Sequence, residues 1–485
     1  MKKKYGLFKV LAVLLLLVVV ATYFIKGRQD TIRYMPVGDV FLNYIQSFYF
    51  FFDTALFIFV VGGFYGVLSR IPAYNKLVKG IAEKVRGNRK KFVIISTVIF
   101  ALLSSFTGLN LMLLILVPFV VSIILLLGYD KLVALSATIG GILVGFIGGV
   151  FITFKDAASQ YAVIHTTFDK LVGLDGSFDN VFVKGLMLVI VIALLVIYIT
   201  NYIKKVGKKE VKYDLTKGDS LFVELKDKTD SNSTVANKRV IVWPLVIILF
   251  ALIVLLVLGY LPWTSLFGID IFEKFHTWLT GIKVGEYAVF TNLISNNFVA
   301  FGEWANLSGY MMAIFVIALF AFILKLIYGI KFEEAMDGFV YGVKKMVPAT
   351  MLVMLAYCVL VCCYNNGFVE TIIANATDKF GDNVIVHGLF SVLGSITNVD
   401  LYYTTSGIFS TIVSGLTENA NLSVYSIMFQ SIYGLVQLIG PTSLILIVGL
   451  SYLEVPYKTW VKYIWRFVIQ LVIAIVLVLI IVSLL

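Results

Sequence analysis

Long apolar runs separated by short polar stretches set the pattern of this 485-residue chain. Several runs exceed the roughly 18 residues that mark a membrane-spanning helix. Simple spans are expected near Leu7 to Ile25, Phe48 to Leu68, Leu132 to Phe154, Phe182 to Ile203, Val240 to Tyr260, Gly309 to Tyr328, Val347 to Tyr364 and Tyr463 to Ser483. Two further stretches, Phe92 to Leu127 and Val386 to Thr417, are apolar but interrupted by polar residues, and each reads as a re-entrant hairpin. A broken span at 423–453 completes the set. The runs are continuous rather than alternating, which excludes a β-barrel. The pattern therefore predicts an all-α polytopic membrane protein with about nine transmembrane helices plus two re-entrant hairpins.

Between the spans, Arg70 to Lys91 and Lys331 to Lys345 place apolar residues at helical spacing among lysines and suit amphipathic helices at the inner interface. Residues 366–384 read as a similar segment outside, and 26–44 and 155–181 as external loops. The region 261–305 carries Trp263, Trp278 and Trp304, expected at the water interface. Residues 204–238, rich in Lys, Asp, Ser and Thr, read as a cytoplasmic linker between a first half, 1–203, and a second half, 239–485.

The two halves share an order of features. Residues 53–155 and 350–453 each contain a span, an amphipathic segment, a broken hairpin, a polar turn and a second broken span. The first copy begins with an inward span and the second with an outward one, so the copies are read as inverted. Inverted repeats with discontinuous helices place solute sites near the bilayer midplane in many secondary transporters.

Irregular polar backbone at membrane depth is tolerated only where protein buries it or it lines a cavity. The candidate binding residues are therefore those at the breaks: Ser104, Ser105, Thr107, Gly108 and Asn110 in the first hairpin; Thr397, Asn398, Thr404, Thr405, Ser406 and Gly407 in the second; and Pro441, Thr442 and Ser443 in the last broken span. Exposed N–H groups at a half-helix start attract a carboxylate, and carbonyl and hydroxyl oxygens coordinate Na⁺. Any one hydroxyl taken singly reads better as interhelical glue; it is the clusters at matching places in the two halves that favour a site. Asp400 is a candidate proton or cation site, against a position at the water-filled outer mouth. Asp53 and Glu303 read as interface residues. The glycines at 140, 141, 145, 148 and 149 predict close helix approach or local unwinding.

Composition adds little that the pattern does not already require. Hydrophobic residues make up 60% and charged residues 14% of the chain, against about 25% charged in soluble domains. The net charge of +11 sits mostly at the ends of apolar runs, where retained cytoplasmic charge accounts for it without a nucleic-acid partner. The same asymmetry places the N-terminus in the cytoplasm and the protein in the plasma membrane. Lys2-Lys3-Lys4 before Leu11 to Val20 resembles a signal peptide lacking a small-residue cleavage pattern, and is taken as a retained span. Cys358, Cys362 and Cys363 lie in an apolar run and read as packing residues. His165, His276 and His387 are scattered, so neither a resident metal nor an enzyme is expected. No cofactor is expected beyond a coupling Na⁺ or H⁺. The expected function is secondary active transport of a small carboxylate-bearing solute, with a channel as the alternative and a membrane-embedded enzyme behind it.

Phe57 to Gly66 (FIFVVGGFYG), Arg86-Gly87-Asn88, Leu127-Gly128-Tyr129-Asp130, Thr405-Ser406-Gly407, Pro441-Thr442-Ser443 and Tyr457-Lys458-Thr459-Trp460-Val461-Lys462 together resemble the YfcC-like membrane proteins. These are related to the anaerobic C4-dicarboxylate carriers and, more distantly, to the aminobenzoyl-glutamate transporters. The resemblance implies secondary transport of amino acids, peptides or dicarboxylates between two hairpin tips, and relatives suggest a homodimer. The chain departs from the family at the first tip: Phe106-Thr107-Gly108-Leu109-Asn110-Leu111 carries no acid where an acidic pair is expected. Glycines also replace an Asn-Pro break near 148–154. A cationic substrate would lose its partner there.

Overall fold

The computed structural model describes residues 6–25, 34–150, 152–154, 162–164, 171–173, 178–207, 241–261, 263–264, 268–293, 299–304 and 309–484. Among them, eight helices are long and apolar enough to cross a membrane, and four shorter apolar helices accompany them. The protein is an all-α polytopic membrane protein, with two small antiparallel strand pairs, Ile152–Phe154 with Ala162–Ile164 and Lys283–Val284 with Tyr287–Ala288. Most of the expected external loop at 155–181 and the linker from 208 to 238 lie outside the described residues.

The first half runs through α1 (Gly6–Phe24), α2 (Val37–Phe50), α3 (Phe52–Ser69), amphipathic α4 (Pro72–Val85) and α5 (Arg89–Thr107). Arg86-Gly87-Asn88 forms a single 3₁₀ turn between α4 and α5. After the first break come α6 (Val117–Leu126), α7 (Lys131–Ile147) and α8 (Phe178–Gly207). The second half contains α9 (Trp243–Tyr260), α10 (Ile271–Thr280), α11 (Met311–Ile327), α12 (Phe332–Asn366), α13 (Phe368–Phe380) and α14 (Val384–Thr397). It ends with α15 (401–414), α16 (Leu422–Ile439), α17 (Leu444–Tyr452) and α18 (Tyr457–Leu484). The order of span, amphipathic helix, broken hairpin and broken span is present at 52–150 and again at 332–452, with one difference. After Gly148 the first copy does not resume a helix within the described residues.

Three expectations need correction. Residues 37–44, placed in a loop, belong to α2, whose Asn43 and Ser47 are buried. Lys331 to Lys345 and Val347 to Tyr364 are not two elements but one helix of 35 residues, about 52 Å long at 1.5 Å per residue. Pro348 sits inside it, where its missing N–H leaves the Lys344 carbonyl without its helical donor. Trp304 does not face water: it is 2% exposed, its indole donates to the Val299 carbonyl, and its ring lies where a side chain on Gly259 would be.

The centre is α3 against α12. Gly62 and Gly66 of α3 meet Gly342 and Gly338 of α12 so closely that a Cβ on Gly342 would stand 1.9 Å from the Gly62 carbonyl oxygen. Small residues four apart on both helices permit this approach where lipid offers no hydrophobic drive to association. In the first half α7 lies on α5 in the same manner: a Cβ on Gly141 would stand 2.9 Å from the Thr97 carbonyl oxygen. Cys358, Cys362 and Cys363 are buried, free and packed in the second apolar cluster.

Candidate functional site

The first break follows from Gly108, which caps α5 in a left-handed conformation, φ 65°, and donates to the Ser104 carbonyl. Such a C-cap is where glycine ends helices. Thr107 Oγ1 donates back to the Leu103 carbonyl and accepts from the Leu109 N–H. Ser104, nearly fully buried, has one hydroxyl proton and two acceptors in reach, Asn110 Oδ1 and the Ile142 carbonyl at 2.7 Å. Ser105 is fully buried. It donates to the Gly148 carbonyl at 2.9 Å and accepts from the Val150 N–H at 3.1 Å. The first hairpin is thus stitched to the end of α7. Of the five glycines near 140–149, only 148 and 149 lie at a break; 136–140 form a π-helical turn, a feature frequent at functional sites.

The second break spans Asn398 to Asp400. Val399 holds φ 57°, an outlier for a β-branched residue, and its carbonyl accepts from Gln437 Nε2 at 3.1 Å. Asp400 caps α15 through Oδ1, which accepts from the Tyr403 N–H at 3.0 Å. Asn398 Nδ2 donates to the Tyr403 carbonyl, and Thr397 bonds back to the Leu393 carbonyl. Thr404, Thr405 and Ser406 lie in a π-helical segment, Thr404–Phe409, and donate to the carbonyls of Asp400, Leu401 and Tyr402. Their protons are spent on backbone, so each oxygen keeps its lone pairs for a donor or a cation. Ser406 is exposed, while Thr404 and Thr405 are buried. At the last break, Pro441 follows Gly440, Thr442 Oγ1 donates to the Ile396 carbonyl at 2.8 Å, and Ser443 caps α17. The second hairpin is therefore also tied to its own broken span.

Several contributing residues were not singled out from sequence. Gln430 of α16 crosses to the first break, donating to the Ile147 and Gly149 carbonyls at 3.2 and 2.7 Å. Gln437, two turns along the same helix, holds the second tip. Tyr457 and Trp460 of α18 donate to the Ile439 and Leu438 carbonyls, which end α16 without intrahelical partners. That gives the Tyr-Lys-Thr-Trp motif a physical task. Asp53, read as an interface residue, accepts from the Thr54 and Tyr310 N–H groups, and its carboxylate acts on Asp400 through space. Glu370 of α13 packs with Asn398 on the bare backbone of Gly407, where a Cβ would stand 3.1 Å from Glu370 Oε1 and 3.2 Å from Asn398 Nδ2. Its Oε2 is buried without a partner. Paired glutamines seven apart are the one signal in the sequence that could have pointed to Gln430 and Gln437.

Among the described residues, no three His, Cys, Asp or Glu side chains gather as a metal site. An apolar cavity of about 20 Å³ between α3, α6, α12 and α17, lined by Phe57, Leu114, Pro118, Met346 and Val448 among others, lies away from both tips and has room for about one water.

An uncharacterized protein of Haemophilus influenzae is 23% identical over 459 residues, covering 90% of this chain and 75% of that one. The solved structure of the YdaH transporter of Alcanivorax borkumensis aligns at 12% identity over 97% of each chain, with a TM-score of 0.36. The pattern of the C4-dicarboxylate anaerobic carriers matches residues 44–483, nearly the whole membrane region described above. The chain belongs to the C4-dicarboxylate anaerobic carrier family.

Proposed function

We propose that this membrane transporter is a secondary active carrier of a small carboxylate-bearing solute, driven by Na⁺ or H⁺ or by exchange, with inverted halves moving about the two hairpin tips. The observation that carries the reading is the pair of helix breaks in each half. Ser105 ties the first hairpin to Gly148 and Val150, and Thr442 ties the second to Ile396. Broken helices at a repeat interface are how such carriers present backbone dipoles to an anion and oxygens to a cation. The hydroxyls of Thr404, Thr405 and Ser406 keep acceptor lone pairs for a cation, beside the Asp400 carboxylate. The family's C4-dicarboxylates are the first substrates to try.

The test is uptake into proteoliposomes of labelled C4-dicarboxylates, amino acids and short peptides, with and without an inward Na⁺ gradient. Gradient-dependent uptake supports an oxygen-lined Na⁺ site. Uptake indifferent to Na⁺ but collapsing with the proton gradient moves coupling to Asp400. Folded protein that carries none of these solutes sinks the reading.

A further inference from the structure

Lys184 lies within the membrane-spanning part of α8, 181–205, and is 1% exposed. An ammonium group inside the membrane is costly and commonly marks a substrate or ion path. Its Nζ donates to Ser426 Oγ at 3.1 Å, and Ser426 is fully buried. One turn further along the same face of α16 is Gln430, also 1% exposed. Both amide hydrogens of Gln430 point at carbonyls, those of Ile147 and Gly149. That fixes the amide orientation, and Oε1 is left buried with no hydrogen-bond partner. The Lys184 helix rests directly on the first break: a Cβ on Gly148 would stand 2.5 Å from the Leu188 Cα, one turn after Lys184. Cation, hydroxyl and unspent acceptor thus share one stripe where α7, α8 and α16 meet, with Ser426 and Gln430 about 5–6 Å apart as fourth neighbours on a helix.

We infer that Lys184, Ser426 and Gln430 form the recognition site for the solute's carboxylate, and that Gln430 Oε1 accepts from a hydroxyl or ammonium on the adjacent carbon. The inference rests on the transport reading above and narrows it to 2-hydroxy and 2-amino carboxylates. The ammonium supplies a charge-assisted hydrogen bond to the carboxylate. An unsubstituted acid would leave Oε1 unpaired, and sites built around a buried polar group discriminate strongly against analogues that lack its partner.

The experiment measures uptake of malate, aspartate and succinate in proteoliposomes of the wild type, Lys184→Gln and Gln430→Met. The expected wild type favours malate or aspartate over succinate. Lys184→Gln raises KM for all three about tenfold or more, and Gln430→Met removes the preference while retaining succinate uptake. A variant not recovered as a monodisperse species is replaced by Lys184→Arg or Ser426→Ala, for which a raised KM at retained kcat is expected. Wild-type uptake of these acids with KM unchanged in the lysine and serine variants overturns the site and leaves the transport reading standing. A preference that survives Gln430→Met overturns the assignment of Oε1. A wild type that carries no carboxylate overturns both.

Discussion

The two breaks share an order of features and differ in construction. At the first, one hairpin limb docks backbone on backbone: a Cβ on Gly145 would stand 2.2 Å from the Ala101 carbonyl oxygen. At the second, Gly394 faces a side chain, Ile408, whose Cγ2 would stand 2.3 Å from an added Cβ. The first tip, Thr107 to Asn110, is neutral, whereas the second carries Asp400, with Asp53 acting on it through space and Glu370 against Gly407. The bases differ too. The Arg89 guanidinium lies 5.5 Å over the Tyr129 ring at the foot of the first hairpin, while Asp382 accepts from the Thr417 N–H and hydroxyl at the foot of the second. Related positions thus do different work: the first break is a rigid neutral seat, and the second holds the charge and the looser packing.

The largest effect expected is on that seat. Gly145→Val should abolish recovery of folded protein, because the carbonyl it meets is fixed in α5. Gly394→Ala should lower thermal stability without abolishing recovery, since the added methyl displaces a side chain, Ile408, and not a carbonyl. Size-exclusion profiles of the two variants make the measurement, and equal recovery would erase the distinction in rigidity.

Charge is the next contrast. Asp400→Asn keeps a side chain that caps helices well, so it should fold. Under the transport reading it should lose about tenfold or more of its gradient-driven uptake. Asn110→Leu at the neutral tip should weaken substrate affinity while leaving ion dependence intact. An Asp400→Asn protein with unaltered gradient dependence would remove coupling from the second tip.

A smaller effect separates the two ties. Ser105→Ala removes a donor to Gly148 and one of two acceptors for Val150, whose N–H keeps the Ser105 carbonyl, whereas Thr442→Val removes one donor to Ile396. A buried hydrogen bond left half-made costs about 1–3 kcal/mol, and polar contacts in membrane proteins average nearer 0.6 kcal/mol. Ser105→Ala should therefore cost roughly 1–2 kcal/mol and Thr442→Val about half that, read by denaturant or thermal unfolding. A greater loss at Thr442 would contradict the ordering.

The breaks were legible because Gly, Pro, Ser, Thr and Asn interrupt apolar runs, and lipid leaves few uses for such interruptions. What occupies the breaks was not. The strain at Val399 is a dihedral that no residue type announces. The gap expected between Lys345 and Val347 does not exist: α12 runs through it and through Pro348. Lys184, three residues inside a span, is indistinguishable in sequence from a lysine reaching for headgroups, and only its burial against Ser426 separates the two. Trp304 failed for the complementary reason: an aromatic among polar residues suggests an interface, but Gly259 opens a slot that buries it.

The smallest effect concerns the bases. Hydrogen bonds from Thr417, side chain first and then backbone, hold the Asp382 carboxyl below its ordinary range. A depressed folded-state pKa gives stability that is present above the ordinary carboxylate range and is lost as pH falls through the folded value. Acid should therefore loosen the foot of the second hairpin; the first has a carboxylate of its own, Asp130, which caps α7 and accepts from the Tyr202 hydroxyl. Amide exchange at 415–421 should therefore quicken below the ordinary carboxylate range. Asp382→Asn should show the faster exchange at neutral pH already, with no further acid response. The site is exposed to solvent, so the change should be local and modest. An acid response at 415–421 that persists in Asp382→Asn would mean that this foot is closed by something other than the Asp382–Thr417 contact.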